Sequence, residues 1–380
     1  QWPTSAQDEI KADPMAGIHD LVFVALVGII DPLRPAAKEA VRIAHKAGIE
    51  VRMITGDHAV TARAIGGDLG LGPGVITGPE FQKLSDDLLA ERLPRLHVFG
   101  RVAPEDKLRL VSVMQDRGEI VAMTGDAVND AAALKKADVG VAMGSGAEVS
   151  KQAARMVLTD DNFSTLVHAI ELGRDIYGKI TAQIRYVMAG LFGVLLLMVL
   201  ASLFGINDGN VLSPVQLLFV TFFIGIFPAI GISTDSSEPG IMDLPPRAPS
   251  KTILNSRTTP RWLVFGLSQA LVGLAPFVYP EQLPVNIQQT LAFAIVAVST
   301  ILMAVSLRRD VIPAWHGPYF PFFKWMAIPG FVTWLAIEWP LFQELLMTTS
   351  LSGQQWASAI ILALVPSMII ETEKALRVYR

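Results

Sequence analysis

The chain contains no cysteine, which excludes disulfides and thiolate metal sites and leaves the redox compartment open. It also lacks an excess of positive charge: 31 Lys and Arg against 35 Asp and Glu give a net charge of -4. Nucleic-acid binding requires a basic face, so that class of partner is set aside. Charged residues are scarce at 17%, while apolar types make up 51% of the 380 residues, and mean hydropathy is +0.44. That balance is too apolar for an ordinary soluble enzyme and places part of the chain in lipid. No basic-then-apolar signal segment opens the sequence, and the first residue is Gln1, which reads as a piece of a longer polypeptide. Nearly all long apolar runs fall after residue 185, so the two regions face different solvents.

In the first region, short runs rich in Val, Ile and Met (Leu21 to Val27, Val51 to Ile54, Ile120 to Met123, Val139 to Met143) predict strands. Helical patterns lie between them: Pro35 to Lys46, His58 to Leu69, Pro104 to Asp116 and Asp130 to Lys136. Strand and helix in alternation, with strands of continuous apolar character, predict a Rossmann-like parallel sheet covered on both faces. Ligands of such sheets sit at the carboxyl ends of the strands. There the sequence reads Thr55-Gly56-Asp57, Thr124-Gly125-Asp126-Ala127-Val128-Asn129-Asp130, and Gly28-Ile29-Ile30-Asp31-Pro32. One Thr-Gly-Asp alone is an ordinary helix cap. Repetition at equivalent strand ends favours a shared site, and carboxylates at i and i+4 of a tight turn suit Mg²⁺, which takes few carboxylates beside phosphate and water. Lys107, in Pro104-Glu105-Asp106-Lys107, is placed to neutralise a phosphoryl oxygen.

The order and spacing of Asp31-Pro32-x-Arg34, Met53 to His58, Ala103 to Lys107, Thr124 to Asp130 with Ala133-Leu134, and Val141-Ala142-Met143-Gly144 resemble the P-type ATPases, and within them the P2 group of calcium and sodium pumps. The resemblance runs from about Leu21 to the end. It implies a haloacid-dehalogenase-like α/β half-domain over 21–160, preceded by the tail of a nucleotide-domain connection at 1–20 and followed by a stalk helix at 161–185. An all-α transmembrane bundle at 186–380 then completes the chain. It further implies Mg²⁺ and ATP as cofactors, with Asp126 and Asp130 at the metal and Asn129 beside them. Thr55, Gly56 and Lys107 would hold the phosphoryl group, and Asp57, Asp31 and Arg34 would lie on the nucleotide and hinge side. Ala127 and Ala132 stand where the family has Gly and Pro; neither change removes a ligand. The family's phosphorylated residue lies in Asp-Lys-Thr-Gly-Thr. Here the only Asp-Lys is Asp106-Lys107, followed by Leu108. The chain alone is therefore expected to form no aspartyl-phosphate. The implied partners are the lipid bilayer, a transported cation or other solute, and an N-terminal half with the actuator domain, the nucleotide domain and four helices.

Six stretches near the ~20 residues a bilayer requires predict crossings at about 186–206, 212–232, 262–279, 290–307, 325–345 and 354–371. Lys and Arg follow the second, fourth and sixth (Arg247, Lys251, Arg257 and Arg261; Arg308, Arg309 and Lys324; Lys374, Arg377 and Arg380), whereas 207–211, 280–289 and 346–353 carry none. The positive-inside rule then places both chain ends and the α/β region in the cytoplasm, with the cell membrane as the expected location. Thr221, Ser299, Thr300 and Glu338 are candidate transport-path residues; Gln269, Thr333 and Gln343 are further polar side chains within the spans. The resemblance implies that calcium pumps carry Asn, Thr and Asp at Thr221, Ile224 and Gly225, and Asn and Glu at Leu191 and Val194. Only Thr221 keeps an oxygen, too little for a dehydrated Ca²⁺. The expected function is an ATP-driven cation transporter represented by a fragment or split half. The alternatives are a regulatory or relic membrane protein built on the same scaffold, and a membrane-anchored phosphatase, which the absent nucleophile disfavours.

Overall fold

The computed structural model describes residues 22–25, 27, 33–248, 252–253, 259–278, 283–310, 312–314 and 320–378. The expected connection at 1–20 and Asp31 lie outside these residues. Of the strand expected over Leu21 to Val27, the described residues 22–25 and 27 form no strand, and Val22, Phe23, Val24 and Val27 are exposed. An apolar run becomes a strand only where a sheet edge pairs it, so composition alone over-read this segment.

Two three-stranded parallel sheets replace the single sheet expected among the described residues. Helix α1 (Pro35–Lys46), with Pro at its first position, buries Ala40, Val41 and Ala44 on one face. It leads to β1 (Met53–Thr55), α2 (Ala59–Asp68) and β2 (Val75–Thr77). Helices α3 (Gly78–Lys83) and α4 (Asp86–Arg92) precede β3 (Val98–Gly100). The wholly buried β3 is central: Phe99 pairs with Ile54 on one side and Ile76 on the other. Then come α5 (Pro104–Asp116), β4 (Ala122–Gly125), α6 (Ala131–Lys136), β5 (Val139–Met143), α7 (Glu148–Ala153) and β6 (Met156–Leu158). In this second sheet β5 is central, with Val141 beside Thr124 and Met156. The central strands satisfy the rule that parallel sheets are buried and read as continuous apolar runs. Strands β2, β3 and β6 escaped the sequence reading because three residues carry too little period. The outer strands are β1 and β2 in the first sheet and β4 and β6 in the second, and Ile54 and Met114 pack against the cores of both sheets.

A 41-residue helix, α8 (Phe163–Leu203), joins the two regions. Its wet half carries Glu171, Arg174, Asp175, Lys179 and Arg185; after Arg185 it holds no charge. Arg174 ties three backbones together, donating to the carbonyls of Ala47, Ile241 and Leu244 at 2.9, 3.1 and 2.8 Å. Around that point Ala40, Ala44 and Ala47 pack with Val167 and Met242, so α1 is fastened to the stalk.

Among the described residues, four helical segments are long and apolar enough to cross a membrane: α8, Pro214–Ser233, α11 (Thr259–Val278) and α12 (Val285–Leu307). The second is divided into α9 (Pro214–Leu218), a wide π turn (Phe219–Ile224) and α10 (Gly225–Ser233). Pro228, within α10, lacks the amide that would bond the carbonyl of Ile224, which accounts for irregularity at the preceding turn. Helix α12 is the centre of the bundle and is mostly buried, whereas the apolar part of α8 is mostly not. Close approach of α8 and α11 depends on glycine: a Cβ at Gly266 would lie 2.8 Å from the Gly193 nitrogen. The fifth predicted span is not one helix. It comprises α13 (Phe320–Glu338) and α14 (Pro340–Leu346), broken at Trp339, whose backbone is extended because Pro340 disfavours a helical residue before it. Helix α15 (Gly353–Val378) follows.

At the wet end of the bundle the buried charges are paired, as burial requires. Asp235 lies 3.4 Å from Arg308 and 3.9 Å from Arg309, Arg185 binds Asp310, and Lys374 bonds Glu371 at 2.9 Å and the carbonyl of Ser306.

Candidate functional site

The two Thr-Gly-Asp turns close on themselves in different ways. After β1, the Thr55 hydroxyl donates to Asp57 Oδ2 at 2.9 Å and accepts the Asp57 amide at 3.0 Å. This leaves Gly56 at the tip, where even a Cβ would meet nothing within 4 Å, so its backbone is open to an incoming anion. His58 caps α2 by accepting the Val60 amide at 3.3 Å. The turn is docked to the end of β3, with Arg101 N bonding Asp57 O at 2.9 Å and Val102 N bonding Thr55 O at 3.3 Å.

From there the chain enters α5. Asp106 folds back to accept the Ala103 amide at 3.0 Å and the Gln82 side chain at 3.0 Å. With the first turn of α5 so fixed, Lys107 reaches across to the second sheet and donates to Asp130 Oδ1 at 2.6 Å. Asp130 Oδ2 accepts the amides of Asp126 and Ala127 at 3.2 and 3.3 Å. Gly125 is required here, because a Cβ would lie 2.6 Å from Asp130 Cβ and 2.8 Å from its Oδ2. Ser150 of α7 braces the same turn, donating to the Ala127 carbonyl at 2.5 Å.

The consequence for metal binding differs from the sequence expectation. Asp130 is buried and both its oxygens are engaged, one by a lysine and one by two amides, so its place is to shape the turn and hold Lys107. Asp126 and Asn129 are exposed on the same turn. Among the described residues no group of three or more His, Asp or Glu is placed to hold a metal. An ion that takes one or two carboxylates beside phosphate and water does not require one, and Asp126 is a carboxylate in the right place for it. Arg34 is exposed. The structure thus joins Lys107, Asp130 and the Asp126 amide by hydrogen bonds and closes Thr55 on Asp57 in a separate turn, with Gly56 and Asn129 placed on these turns by the chain itself.

The candidate transport residues are dispersed. Thr221, in the π turn, is exposed and bonds its own helix at Leu217 O, 2.8 Å away. Ser299 and Thr300 are buried in α12 and accept from Gln269 of α11 at 3.0 and 2.9 Å, making an intramembrane polar node. The sequence named Gln269 as polar without linking it to them; residues on different helices share no sequence period. Glu338 accepts the Trp356 indole at 2.8 Å and the Leu351 amide at 3.3 Å. It joins the end of α13 to the start of α15.

Two family models divide the chain: "Cation transporting ATPase, C-terminus" matches residues 209–376, and "haloacid dehalogenase-like hydrolase" matches 4–138. A second haloacid dehalogenase-like model matches 109–170. The chain belongs to the P-type cation-transporting ATPases. It is 34% identical over 94% of its length to Calcium-transporting ATPase 1 of Bacillus cereus, and covers 43% of that relative. It is 35% identical over 92% of its length to the Calcium-transporting ATPase of Bacillus subtilis, covering 40%. The Probable cation-transporting ATPase F of Mycobacterium tuberculosis is 41% identical over 69% of the chain and is covered to 30%. The chain thus spans less than half the length of these relatives, and the membrane-capable helices and the α/β region both fall within the similarity.

Proposed function

We propose that this chain supplies the metal- and phosphate-handling half of an ATP-driven cation pump, and that the phosphorylated aspartate reaches it from polypeptide outside these 380 residues. The observation that carries the proposal is the pair of open sheet edges. Of the four outer strands, β1 and β4 are the two that run into Thr-Gly-Asp, and Ile54 of β1 and Met114 of α5 pack against the cores of both sheets. A parallel strand added between them would complete a single sheet and deliver its carboxyl end between Gly56 and Asp126. The nucleophile missing from the sequence belongs there.

In that setting the Gly56 tip presents its amide to a phosphoryl oxygen, and Lys107, held by Asp130, offers a second positive contact. Asp130 fixes both the lysine and the turn, so these donors need little reorganisation when charge develops on the phosphoryl group. Asp126 and Asn129 would hold Mg²⁺, which when bound neutralises phosphate charge and orients the reacting oxygens. ATP binding itself falls to residues outside this chain. The α/β region and the stalk α8 move together through Arg174 and the α1 contacts, which gives a mechanical route to the membrane.

For the cargo, the spans offer neutral oxygens: Thr221, Gln269, Ser299 and Thr300. Neutral oxygens alone do not offset the dehydration of a divalent ion. The spans of this chain therefore make no site for micromolar Ca²⁺. The test is ATPase activity of the completed protein in proteoliposomes across a panel of cations, beside Asp126→Asn. We expect cation-stimulated hydrolysis, no stimulation by micromolar Ca²⁺, and a raised Mg²⁺ requirement in the variant. Hydrolysis indifferent to every cation would refute the pump reading, and saturable micromolar Ca²⁺ stimulation abolished by Thr221→Ala would refute the cargo argument. Unchanged Mg²⁺ dependence would remove Asp126 from the metal.

A further inference from the structure

At the wet end of the bundle, where the apolar spans stop, the chain encloses a cavity of about 60 Å³. Four cations line it, Arg185 of α8, Arg261 of α11, Arg309 just after α12 and Lys374 of α15, against one carboxylate, Asp310. Its remaining walls are mainly apolar and include the buried Trp262, Phe265, Leu307 and Ile370. Cations converging on one small space repel unless negative charge sits among them. The surrounding carboxylates supply part of it: Asp310 on Arg185, Glu373 at 3.1 Å from Arg261, Asp235 at 3.9 Å from Arg309 and Glu371 at 2.9 Å from Lys374, with Glu238 close by. Lys374 spends its other two donors on the carbonyls of Ser306 and Ile312, and Arg309 donates to Ser236 at 3.1 Å. Arg185 and Arg261 are less committed. A guanidinium has five N–H donors; Arg185 gives one to Asp310, and its buried Nε has no partner among the described residues. Arg261 meets Glu373 through Nε, so the two side chains together keep donors for a bidentate anion.

The size of the cavity narrows the ligand. It has room for about two waters or one compact oxyanion, far less than the roughly 300 Å³ of a pocket that takes in a whole small molecule. Whatever binds there leaves most of itself outside. Outside, below Arg261 on the same helix, Val264, Leu267 and Leu271 form an exposed apolar stripe at i, i+3 and i+7, pointing from the cavity along the span. A buried cationic seat beside an apolar stripe at the membrane boundary matches a phospholipid, whose phosphate and chains are joined in that order. We propose that Arg185 and Arg261 hold the phosphate of an anionic phospholipid in this cavity, with its acyl chains along Val264, Leu267 and Leu271. Asp310 is half exposed, so its carboxylate turns to water when the lipid phosphate takes its place on Arg185. A zwitterionic headgroup carries its own cation toward Arg309 and Lys374, and an anionic one does not, so the site selects by headgroup charge. The site requires only that these helices lie in lipid; it is independent of the pump cycle.

The test is native mass spectrometry of the delipidated, detergent-solubilised chain, titrated with dioleoyl phosphatidylglycerol or dioleoyl phosphatidylcholine. The first phosphatidylglycerol should bind about tenfold or more tighter than the first phosphatidylcholine. In the double variant Arg185→Gln, Arg261→Gln the preference should fall to about twofold or less. Lys324→Gln, which removes an exposed charge from the same end of the bundle outside the cavity, should keep it. Equal affinity for the two lipids in the parent, or a tenfold preference that survives in the double variant, overturns the site. Hydrogen exchange of the parent chain in nanodiscs gives a reading that needs no variant. Phosphatidylglycerol should slow the peptides around 181–188 and 368–376 by about threefold or more relative to phosphatidylcholine, with an α13 peptide unchanged. Identical exchange in the two lipids would overturn the proposal as well. Inorganic phosphate and glycerol 3-phosphate, added at millimolar levels to the phosphatidylcholine discs, should leave both peptides unchanged. Slowing by either would show that the cavity takes a soluble phosphate and would overturn the lipid assignment.

Discussion

Asp130→Ala tests whether the carboxylate is the keystone of the catalytic turn. The substitution removes three bonds at once: the 2.6 Å contact with Lys107 and the two amide bonds to residues 126 and 127. The Asp130 side chain is 4% exposed and that of Lys107 20%. Removing one partner of a buried ion pair costs about 3–5 kcal/mol, and partial access of water to Lys107 puts this case near the lower end, at about 3 kcal/mol. If that loss is local, it raises the opening of the turn roughly 10²-fold. Amide hydrogen exchange of the peptide around residues 122–134 in the detergent-solubilised chain reads this directly, with an α12 peptide as internal control. Asp130→Asn keeps an oxygen for the two amides and loses the charge, so its turn should stay within about threefold of the parent while its hold on Lys107 weakens. Unchanged protection in Asp130→Ala would show that α7 and the sheet hold the turn without the carboxylate, and the assignment of Asp130 as its organiser would fail.

Three further expectations follow from single contacts. Gly125→Ala forces a Cβ to within 2.6 Å of Asp130 Cβ and should raise exchange in the same peptide by an amount matching about 1–3 kcal/mol of overpacking; no change would mean the turn is looser than described. Glu338→Gln should leave stability nearly unchanged, since it keeps the acceptor for Trp356 and Leu351, whereas Glu338→Ala should cost about 1–3 kcal/mol; equal transport loss in both variants would restore Glu338 to the ion path. The Asp138 carboxyl is held below its ordinary 3.8 chiefly by the Val121 amide, then by Gln115. Its stabilising contribution is therefore complete above about pH 3.8 and is lost as pH falls through the lower folded value. Acid titration of the second sheet by hydrogen exchange should show a steeper loss in the parent than in Asp138→Asn, and parallel curves would contradict the sign.

Much of the candidate site was legible in the sequence because it is written in contiguous turns: Thr55 to Asp57 and Thr124 to Asp130 lie at fixed spacing after apolar strands. The division of labour within the second turn was not legible. Only the fold shows that Asp130 faces inward to Lys107, 23 residues away, while Asp126 faces out. The same holds for Gln269 with Ser299 and Thr300, which meet across two helices with no shared period. The fifth span was misjudged because hydropathy averages over Trp339, where one proline decides the backbone. Short strands such as Val98–Gly100 are set by their neighbours on both sides and leave little trace of their own.

The central claim is that the chain holds the phosphate-binding groups and lacks the group that is phosphorylated. Labelled ATP with Mg²⁺, followed by acid quench and hydroxylamine, tests it directly on the chain alone and on the completed protein. The account predicts no hydroxylamine-sensitive label on the chain alone, and in the completed protein a label that maps outside these 380 residues and is lost in Lys107→Ala. A hydroxylamine-sensitive label on any aspartate of this chain would contradict it.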